Sequence, residues 1–266
     1  MPNFIMMAGY NTKDEDCASV LCFHGRIRPM LVKESKRMLG LISAMQTEME
    51  QLLSELKEPV MEQAGGMTFH RGKLCGRPVV LSVCGPGKVN AALCAQTMLL
   101  NYKPEAVLNL GVAGSIDPDI NIGDIVIGTF AVQHDMDTTP IGDPPGYISG
   151  ISLVQLPLDV SLQDKLRRAL EGLPDVRGAF GGIATGDQFL QDGGRRAQVR
   201  EQFKALCCEM EGGAVAHACY VNHTPCAVVR AISDRADGSS NMDYFNFLTL
   251  AAEKSTALVR RFLQET

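Results

Sequence analysis

The sequence predicts an α/β protein: a single domain with three layers, α/β/α, built around a mixed, largely parallel central sheet. Two observations lead to this prediction. Near-continuous apolar segments of strand length alternate with segments whose apolar residues recur at the i, i+3, i+4, i+7 spacing of a helix. No Pro- or Ser-rich linker interrupts the chain between residues 39 and 266, so these elements are expected to share one core.

The elements are predicted in order from these patterns. The first strand is the apolar run 39–45, and Met49, Leu52, Leu53 and Leu56 then lie on one face of a helix. A Cys-Gly-Arg turn joins two strands into a hairpin. The remaining predictions follow the same two patterns: hairpin strands 67–74 and 78–84, strands 106–110, 125–132, 178–184, 205–208 and 226–232, and helices 89–100, 162–170, 197–203, 214–221 and 244–263.

The first 38 residues differ from the rest of the chain. They have no apolar period of 2.0 or 3.6 residues, and Met30 and Met38 each stand where a shorter reading frame could begin. We therefore expect residues 1–38 to be an N-terminal tail, disordered or arising from an upstream start, and residues 39–266 to be the functional domain.

Composition excludes several classes of partner and site. The chain has 25 Lys and Arg against 30 Asp and Glu and no long basic run, so no nucleic acid is expected to bind. Nine cysteines without a C-x-x-C pair fit reduced thiols in a cytoplasm, and no apolar run approaches the length of a membrane span. The motif His134-Asp135-x-Asp137 is compatible with metal ligands but better explained as a structural loop, because no second ligand cluster accompanies it.

Ligands of such sheets bind beyond the carboxyl ends of the strands, so the polar residues predicted there are the candidates for a site. Arg230 is unusual because it lies inside an apolar strand, where a guanidinium needs a carboxylate or polar partner. Glu209 and Glu211 are either functional carboxylates or an acidic pair favoured by a helix N-terminus. The candidate segments are Glu48, Gly85–Lys88, Gly111–Gly114, Asp187–Phe189, Glu209–Glu211 and Ser233–Asp234.

The Gly85-x-Gly87-Lys88 segment does not fit a Walker A phosphate loop. That motif needs a glycine five residues before the Gly-Lys pair and Ser or Thr after it, whereas Ser82 and Val89 occupy these positions. A tight turn between a strand and a helix is the better interpretation.

Seven segments, in order from residue 39 to 264, resemble the methylthioadenosine/S-adenosylhomocysteine nucleosidases. None is decisive alone, but their common order is specific. They are Gly40-Leu-Ile-Ser-Ala-Met-Gln-Thr-Glu48, Cys84-Gly-Pro-Gly-Lys-Val-Asn-Ala-Ala92, Asn109-Leu-Gly-Val-Ala-Gly114, Gly123-Asp-Ile-Val-Ile127, Thr185-Gly-Asp-Gln-Phe189, Glu209-Met-Glu211 and Val229-Arg-Ala-Ile-Ser-Asp234.

The resemblance implies a purine nucleoside N-ribosyl hydrolase of the nucleoside phosphorylase superfamily, a homodimer that uses no metal or other cofactor. It implies that Glu48 is the base that activates water, that Asp234 is the acid toward purine N7, and that Arg230 helps to hold the water and Glu48. The other implied substrate contacts are Glu211 and Met210 at the ribose, Phe189 and Leu190 at adenine, Gly114 in a loop near ribose and base, and Met45 and Tyr244 around the 5′-thio group.

Some departures from the family and some alternatives remain. Val112 stands where many relatives have Ser or Thr, and Pro86 replaces a common Ile. A phosphorylase is the competing enzyme, but this chain lacks the phosphate-binding Pro-Gly-Asp-Pro-x-Arg segment and has Asn109 where phosphorylases have an Arg. A futalosine-type hydrolase and a non-catalytic purine-binding protein are further alternatives on the same fold.

Overall fold

The computed structural model describes residues 38–173, 175–235 and 240–265, with the backbone alone for 240–246. The predicted tail therefore lies outside the described residues, apart from Met38. The strands are β1 (Leu39–Ser43), β2 (Lys57–Ala64), β3 (Met67–Leu74), β4 (Arg77–Val83), β5 (Ala106–Ser115), β6 (Ile125–Gln133), β7 (Leu156–Pro157), β8 (Gly178–Thr185), β9 (Ala205–Glu209) and β10 (Cys226–Asp234). The α-helices are α1 (Gln46–Glu55), α2 (Lys88–Tyr102), α3 (Val160–Glu171), α4 (Gly193–Phe203), α5 (Gly212–Val221) and α6 (Ser240–Glu265), and a short 3-10 helix spans Thr139–Ile141.

The strands form one mixed sheet in the order β10-β6-β8-β9-β5-β1-β4-β3-β2, with β7 beside β6. Strand β10 also pairs with β5, so that β10, β6, β8, β9 and β5 close into a ring. The parallel pairs include β1 with β4 and β5, and β8 with β6 and β9, whereas the hairpin β3–β4 is antiparallel. The ring brings the ends of β5, β9 and β10 close together.

Helices cover the sheet on both faces, as the three-layer prediction requires. Buried residues of α2 and α5, such as Met98 and Val215, pack into one apolar cluster. Those of α1, α3 and α6, such as Leu52, Leu166 and Leu258, pack into a second cluster on the other face. No helix in the described part of the chain is long and apolar enough to cross a membrane.

Three details differ from the sequence prediction. Strand β2 was not predicted because it is exposed along most of its length and contains Pro59, so it carries no apolar alternation. Strand β5 extends to Ser115, so Gly114 lies within a strand and not in a loop beyond one. Strand β10 likewise includes Asp234. Small residues obscured the extent of β5, since glycine is normally depleted in strands.

Candidate active site

A cavity of about 190 Å³ lies where strands β1, β5, β9 and β10 end. Its wall contains eight of the residues predicted for the site, drawn from five separate segments. They are Met45, Glu48, Gly114, Phe189, Leu190, Met210, Glu211 and Asp234. Arg230 does not line the cavity, and the side chain of Tyr244, on α6, is outside the described residues.

Glu48 lies in the first turn of α1, immediately after β1, and is buried. Its Oε2 accepts backbone N–H bonds from Ala44 at 3.0 Å and Met45 at 2.9 Å, and its Oε1 accepts one from Val112 at 2.9 Å. Burial raises the pKa of Glu48 above the ordinary value, although these N–H donors and the charge of Arg230 oppose the rise. The carboxylate is thus fixed in direction and more basic than in water.

Val112 contacts Glu48 through its main-chain N–H. The contact is therefore present even though this chain has Val where many relatives have Ser or Thr. Pro86, the other departure from the family, also lines the cavity. It immediately precedes Gly87, whose φ of 98° requires a glycine-like backbone at the start of α2. The tight turn expected between β4 and α2 is therefore present.

Arg230 lies behind the cavity wall, in the middle of β10, and is 1% exposed. Its guanidinium is paired with Glu209 through Nε and Nη2 and contacts both the side-chain and main-chain oxygens of Asn109. With a further bond from Nη1 to the Val229 carbonyl oxygen, all five N–H groups have acceptors. Arg230 makes no hydrogen bond to Glu48, and its effect on that carboxylate is electrostatic.

Glu209, at the end of β9, completes the surroundings of Arg230. Its Oε2 also accepts backbone N–H bonds from Glu211 at 3.0 Å and Gly212 at 2.7 Å, at the start of α5. Its Oε1 accepts the hydroxyl of Thr185. The carboxylate therefore neutralises the buried guanidinium and satisfies the first N–H groups of a helix.

Glu211 is the N-cap residue immediately before α5, and its Oε1 accepts the N–H of Gly87 at 2.7 Å. Burial, reinforced by the negative charge of Glu209, raises the pKa of Glu211 to about 7. Its carboxyl group lines the same cavity as Glu48. At neutral pH both the neutral and the ionised form of the Glu211 carboxyl group are therefore populated.

Asp234 lies at the last position of β10 and forms a buried ion pair with Arg196 of α4, with 2.5 Å between Oδ2 and Nη2. Its Oδ1 accepts a hydrogen bond from the Ser233 hydroxyl at 2.9 Å. Gly114 faces this pair: a Cβ at that position would lie 2.8 Å from both Nη2 of Arg196 and Oδ2 of Asp234. The absence of a side chain at 114 leaves room for the ion pair at the cavity wall.

The apolar part of the cavity is formed by side chains of different exposure. Phe189 is 45% exposed, whereas Leu190, beside it, is 7% exposed. Met45 and Met210 are half-buried and approach from other elements. An apolar, partly open wall next to buried carboxylates suits a flat, uncharged ring with polar edges.

The segment around His134 holds the loops beside the cavity together. Asp135 forms an ion pair with Lys88 at 2.7 Å and accepts the N–H of Asp187 at 2.8 Å. Within the described ranges, no group of three or more His, Cys, Asp or Glu side chains is placed to hold a metal ion. Asp135 therefore connects its own loop to the start of α2 and to the loop after β8.

Sequence analysis did not identify Arg196 as a site residue. It lies in a helix segment with three arginines, where charge is ordinary. A signal was nevertheless available: Arg196, Val199 and Phe203 lie at i, i+3 and i+7 and are all buried. An arginine on the buried face of a helix, like one in an apolar strand, requires a partner.

Comparison with known proteins supports the same fold and the same family. A family model described as the phosphorylase superfamily matches residues 38–264. The chain is 37% identical over 236 residues to 5′-methylthioadenosine/S-adenosylhomocysteine nucleosidases of Bacillus anthracis and Bacillus cereus (strain AH187), covering 85% of this chain and 98% of each relative.

Solved structures agree with the sequence relatives. The nucleosidase of Neisseria meningitidis in complex with methylthio-immucillin-A has a TM-score of 0.83 at 29% identity, covering 86% of this chain and 100% of that one. The Colwellia psychrerythraea nucleosidase in complex with adenine has a TM-score of 0.82 at 32% identity, covering 86% and 95%. The futalosine hydrolase of Helicobacter pylori has a TM-score of 0.81 at 30% identity, covering 87% and 99%. The chain belongs to the phosphorylase superfamily and, within it, to the 5′-methylthioadenosine/S-adenosylhomocysteine nucleosidase family.

Proposed function

We propose that this protein hydrolyses the N-glycosidic bond of 5′-methylthioadenosine, S-adenosylhomocysteine or both, and releases adenine and the 5-thio-ribose product. One observation carries the proposal: Glu48, Glu211 and Asp234, from three separate elements, line a single cavity together with Phe189. Breaking an N-glycosidic bond develops positive charge on the ribose while the purine leaves as a poor anion. Carboxylates that stabilise the sugar and an acid that protonates the base lower this barrier.

Glu48 is the proposed base. Its three N–H donors hold the carboxylate in one orientation, and its raised pKa increases its affinity for a proton. It accepts a proton from water while the water oxygen bonds to C1′ and the bond from C1′ to N9 breaks. The electron pair of that bond passes to the purine.

Asp234 is the proposed acid toward N7 of the leaving purine. The ion pair with Arg196 favours the ionised form of the Asp234 carboxylate. A proton that solvent supplies as hydronium passes through the Asp234 carboxylate to N7 as charge develops on the base. The proton that Glu48 takes from the attacking water later returns to solvent. Proton transfer and bond cleavage are then coupled.

The remaining predicted residues are proposed to bind the substrate. Glu211, with a pKa of about 7, is suited to hydrogen bonds with ribose hydroxyl groups. Phe189 and Leu190 are proposed to contact the adenine, and Met45, Met210 and Tyr244 the ribose and the 5′-thio group. Gly114 is proposed to lie near the ribose and the base, and its lack of a side chain leaves room for the ion pair between Arg196 and Asp234. Arg230 is proposed to act indirectly, through Glu209 and through its charge near Glu48.

Chromatography of 5′-methylthioadenosine incubated with the protein, with and without phosphate, tests the proposal. We expect adenine and free methylthioribose under both conditions. A ribose-1-phosphate product that requires phosphate would identify a phosphorylase, and no turnover would favour the purine-binding alternative. Parallel incubation with futalosine tests the alternative that the protein is a futalosine hydrolase, since the futalosine hydrolase of Helicobacter pylori is also similar in structure.

The roles of the two catalytic carboxylates are tested by Asp234→Asn and Glu48→Gln. Each is expected to lower kcat by at least about 10²-fold while substrate still binds, because each group acts in the transition state. Glu50→Gln is the matched control, since Glu50 is exposed and lies on the same helix as Glu48. Near-normal adenine release by Asp234→Asn in a single turnover would show that another group protonates the base.

We also propose that the protein acts as a homodimer. A surface groove between α2 and α5 is lined by exposed apolar side chains. Val89 and Leu93 of α2 are 68% and 53% exposed, and Val221 of α5 is 46% exposed. Ile141 is 82% exposed. By the family resemblance, its segment corresponds to a loop that helps to close the 5′ pocket of a partner subunit. Replacement of Ile141 by Asp should raise KM, and sedimentation should show a two-fold assembly. A fully active monomer would contradict this proposal.

We also propose that residues 39–266 form the functional domain and that the protein is cytoplasmic. A chain beginning at Met38 is expected to retain full activity, because the family model begins there. The seven described cysteines are free thiols, which is typical of proteins in a reducing compartment such as the cytoplasm.

A further inference from the structure

The end of the cavity at Asp234 has an unusual hydrogen-bonding character. Arg196 lines it and is 1% exposed. Besides the ion pair with Asp234, its Nε donates to the Leu190 carbonyl oxygen at 2.6 Å. Its Nη1 donates to the carbonyl oxygens of Ser115 at 3.1 Å and Arg235 at 2.7 Å. The guanidinium is therefore held in one orientation by the surrounding backbone.

Two consequences follow for a ligand at this end. The carbonyl oxygen of Leu190 and Oδ2 of Asp234 each already accept an N–H bond from Arg196, which reduces their capacity to accept another from a ligand. Within residues 38–173, 175–235 and 240–265, four of the five N–H groups of Arg196 have acceptors, and the second hydrogen on Nη2 has none. This nitrogen fills the space beside Gly114 that a side chain would otherwise occupy, at the wall of the cavity.

A hydrogen-bond donor such as this N–H of Arg196 would distinguish purines by the group that they carry at C6. An exocyclic amine donates hydrogen bonds and needs an acceptor, whereas an exocyclic carbonyl accepts them and suits a guanidinium N–H. An N–H left without a partner after a ligand excludes water weakens binding. A carbonyl at C6 would satisfy that N–H and an amine would not.

We propose that Arg196 is a specificity-determining residue that allows the cavity to accept 6-oxopurine nucleosides with a 5′-thio substituent, in addition to 6-aminopurine nucleosides. The inference rests on the proposed function, because it needs the purine edge to face Asp234. The bonds made and broken are those of the proposed hydrolysis, with hypoxanthine as the leaving base. Only the recognition of the group at C6 is new.

The test compares kcat/KM for 5′-methylthioinosine and 5′-methylthioadenosine. The wild-type protein is expected to cleave both. Arg196→Met is expected to lower the ratio of the inosine to the adenosine substrate by about 10- to 100-fold, since a hydrogen bond from a charged donor is lost only for the carbonyl. Arg200→Met is the control: Arg200 lies on the same helix, is exposed and pairs with Asp117, so the ratio should not change.

A second measurement does not depend on the folding of a variant. Calorimetry compares the binding to the wild-type protein of hypoxanthine, which carries a C6 oxygen and an N1–H, and of unsubstituted purine, which carries neither. We expect hypoxanthine to bind at least about 10-fold more tightly. Equal binding of the two bases, or a ratio unchanged in Arg196→Met, would overturn the inference. Cleavage of methylthioadenosine without methylthioinosine would overturn it and leave the proposed function standing, whereas cleavage of neither would refute the proposed function itself.

Discussion

The two buried arginines, Arg230 and Arg196, are both 1% exposed and both paired with a carboxylate, but their surroundings differ. All five N–H groups of Arg230 are bonded, and its partner Glu209 also holds the start of α5. Arg196 lines the cavity, and so does its partner Asp234. Glu209 also lines the cavity, so the difference lies in the two arginines: Arg230 supports the site from behind its wall, whereas Arg196 forms part of the surface that a ligand meets.

The largest expected effect separates the two pairs by stability. Arg230→Met leaves the Glu209 carboxylate buried without its cation, and the free energy of unfolding should fall by about 3–5 kcal/mol. Arg196→Met should cost less, about 1–3 kcal/mol, because water in the cavity can hydrate Asp234. Urea unfolding of both variants measures the difference. If Arg196→Met were the more destabilising, the distinction between Arg230 as a supporting residue and Arg196 as a ligand-facing residue would be wrong.

A smaller effect is expected from Glu211, whose negative neighbour Glu209 is the partner of Arg230. Because the pKa of Glu211 is raised to about 7 in the folded protein, the folded state binds more protons than the unfolded state between about pH 4.5 and 7. This group therefore lowers stability as pH rises through that range, by up to about 3 kcal/mol.

Glu211→Gln removes this titration and provides the measurement. The fall in the free energy of unfolding between pH 5 and pH 8 should be smaller in the variant than in the wild type. Glu48, whose pKa is also raised, contributes to the slope of both proteins and cancels in the comparison. Identical slopes would mean that Arg230 neutralises both carboxylates and not Glu209 alone.

The smallest expected effect comes from Gly114→Ala, which disturbs the ion pair between Arg196 and Asp234 without removing either residue. The added Cβ would lie 2.8 Å from both partners, so one must shift, at a cost of about 1 kcal/mol. We expect kcat/KM to fall about 10-fold, because small displacements of a catalytic group are costly. Gly150→Ala is the control, since no atom lies within 4 Å of the added carbon. Equal activities would show that the exact position of the pair is unimportant.

Apolar periodicity predicted the layers of the fold and most of its elements. Strands such as β8 and β10 are visible because both faces are covered and their sequences are almost continuously apolar. The pairing of β10 with both β5 and β6 was not predicted, because a strand sequence does not specify its neighbours. Ring closure is what brings Gly114 and Asp234 side by side.

The candidate site was predictable to the extent that its residues are unusual for their elements. Arg230 is conspicuous in an apolar strand, and the acidic residues stand at strand ends. Arg196 escaped notice because its helix contains Arg195 and Arg200 as well, and composition does not distinguish a buried arginine from exposed ones. The contacts of Glu209 depend on the approach of β8, β10 and α5 in three dimensions.

The combined contacts of Glu209 affect how such a cavity can diverge in evolution. One carboxylate serves a guanidinium, two main-chain N–H groups and a hydroxyl, so a single substitution at 209 would disturb all of them together. Change in the cavity wall around Glu209 therefore requires several coordinated substitutions. At the opposite end, Arg196 is held chiefly by main-chain carbonyl oxygens, which persist whatever side chains surround them. A single mutation there is enough to alter which base is recognised, and substrate range can drift from that end while the hydrolytic centre stays fixed.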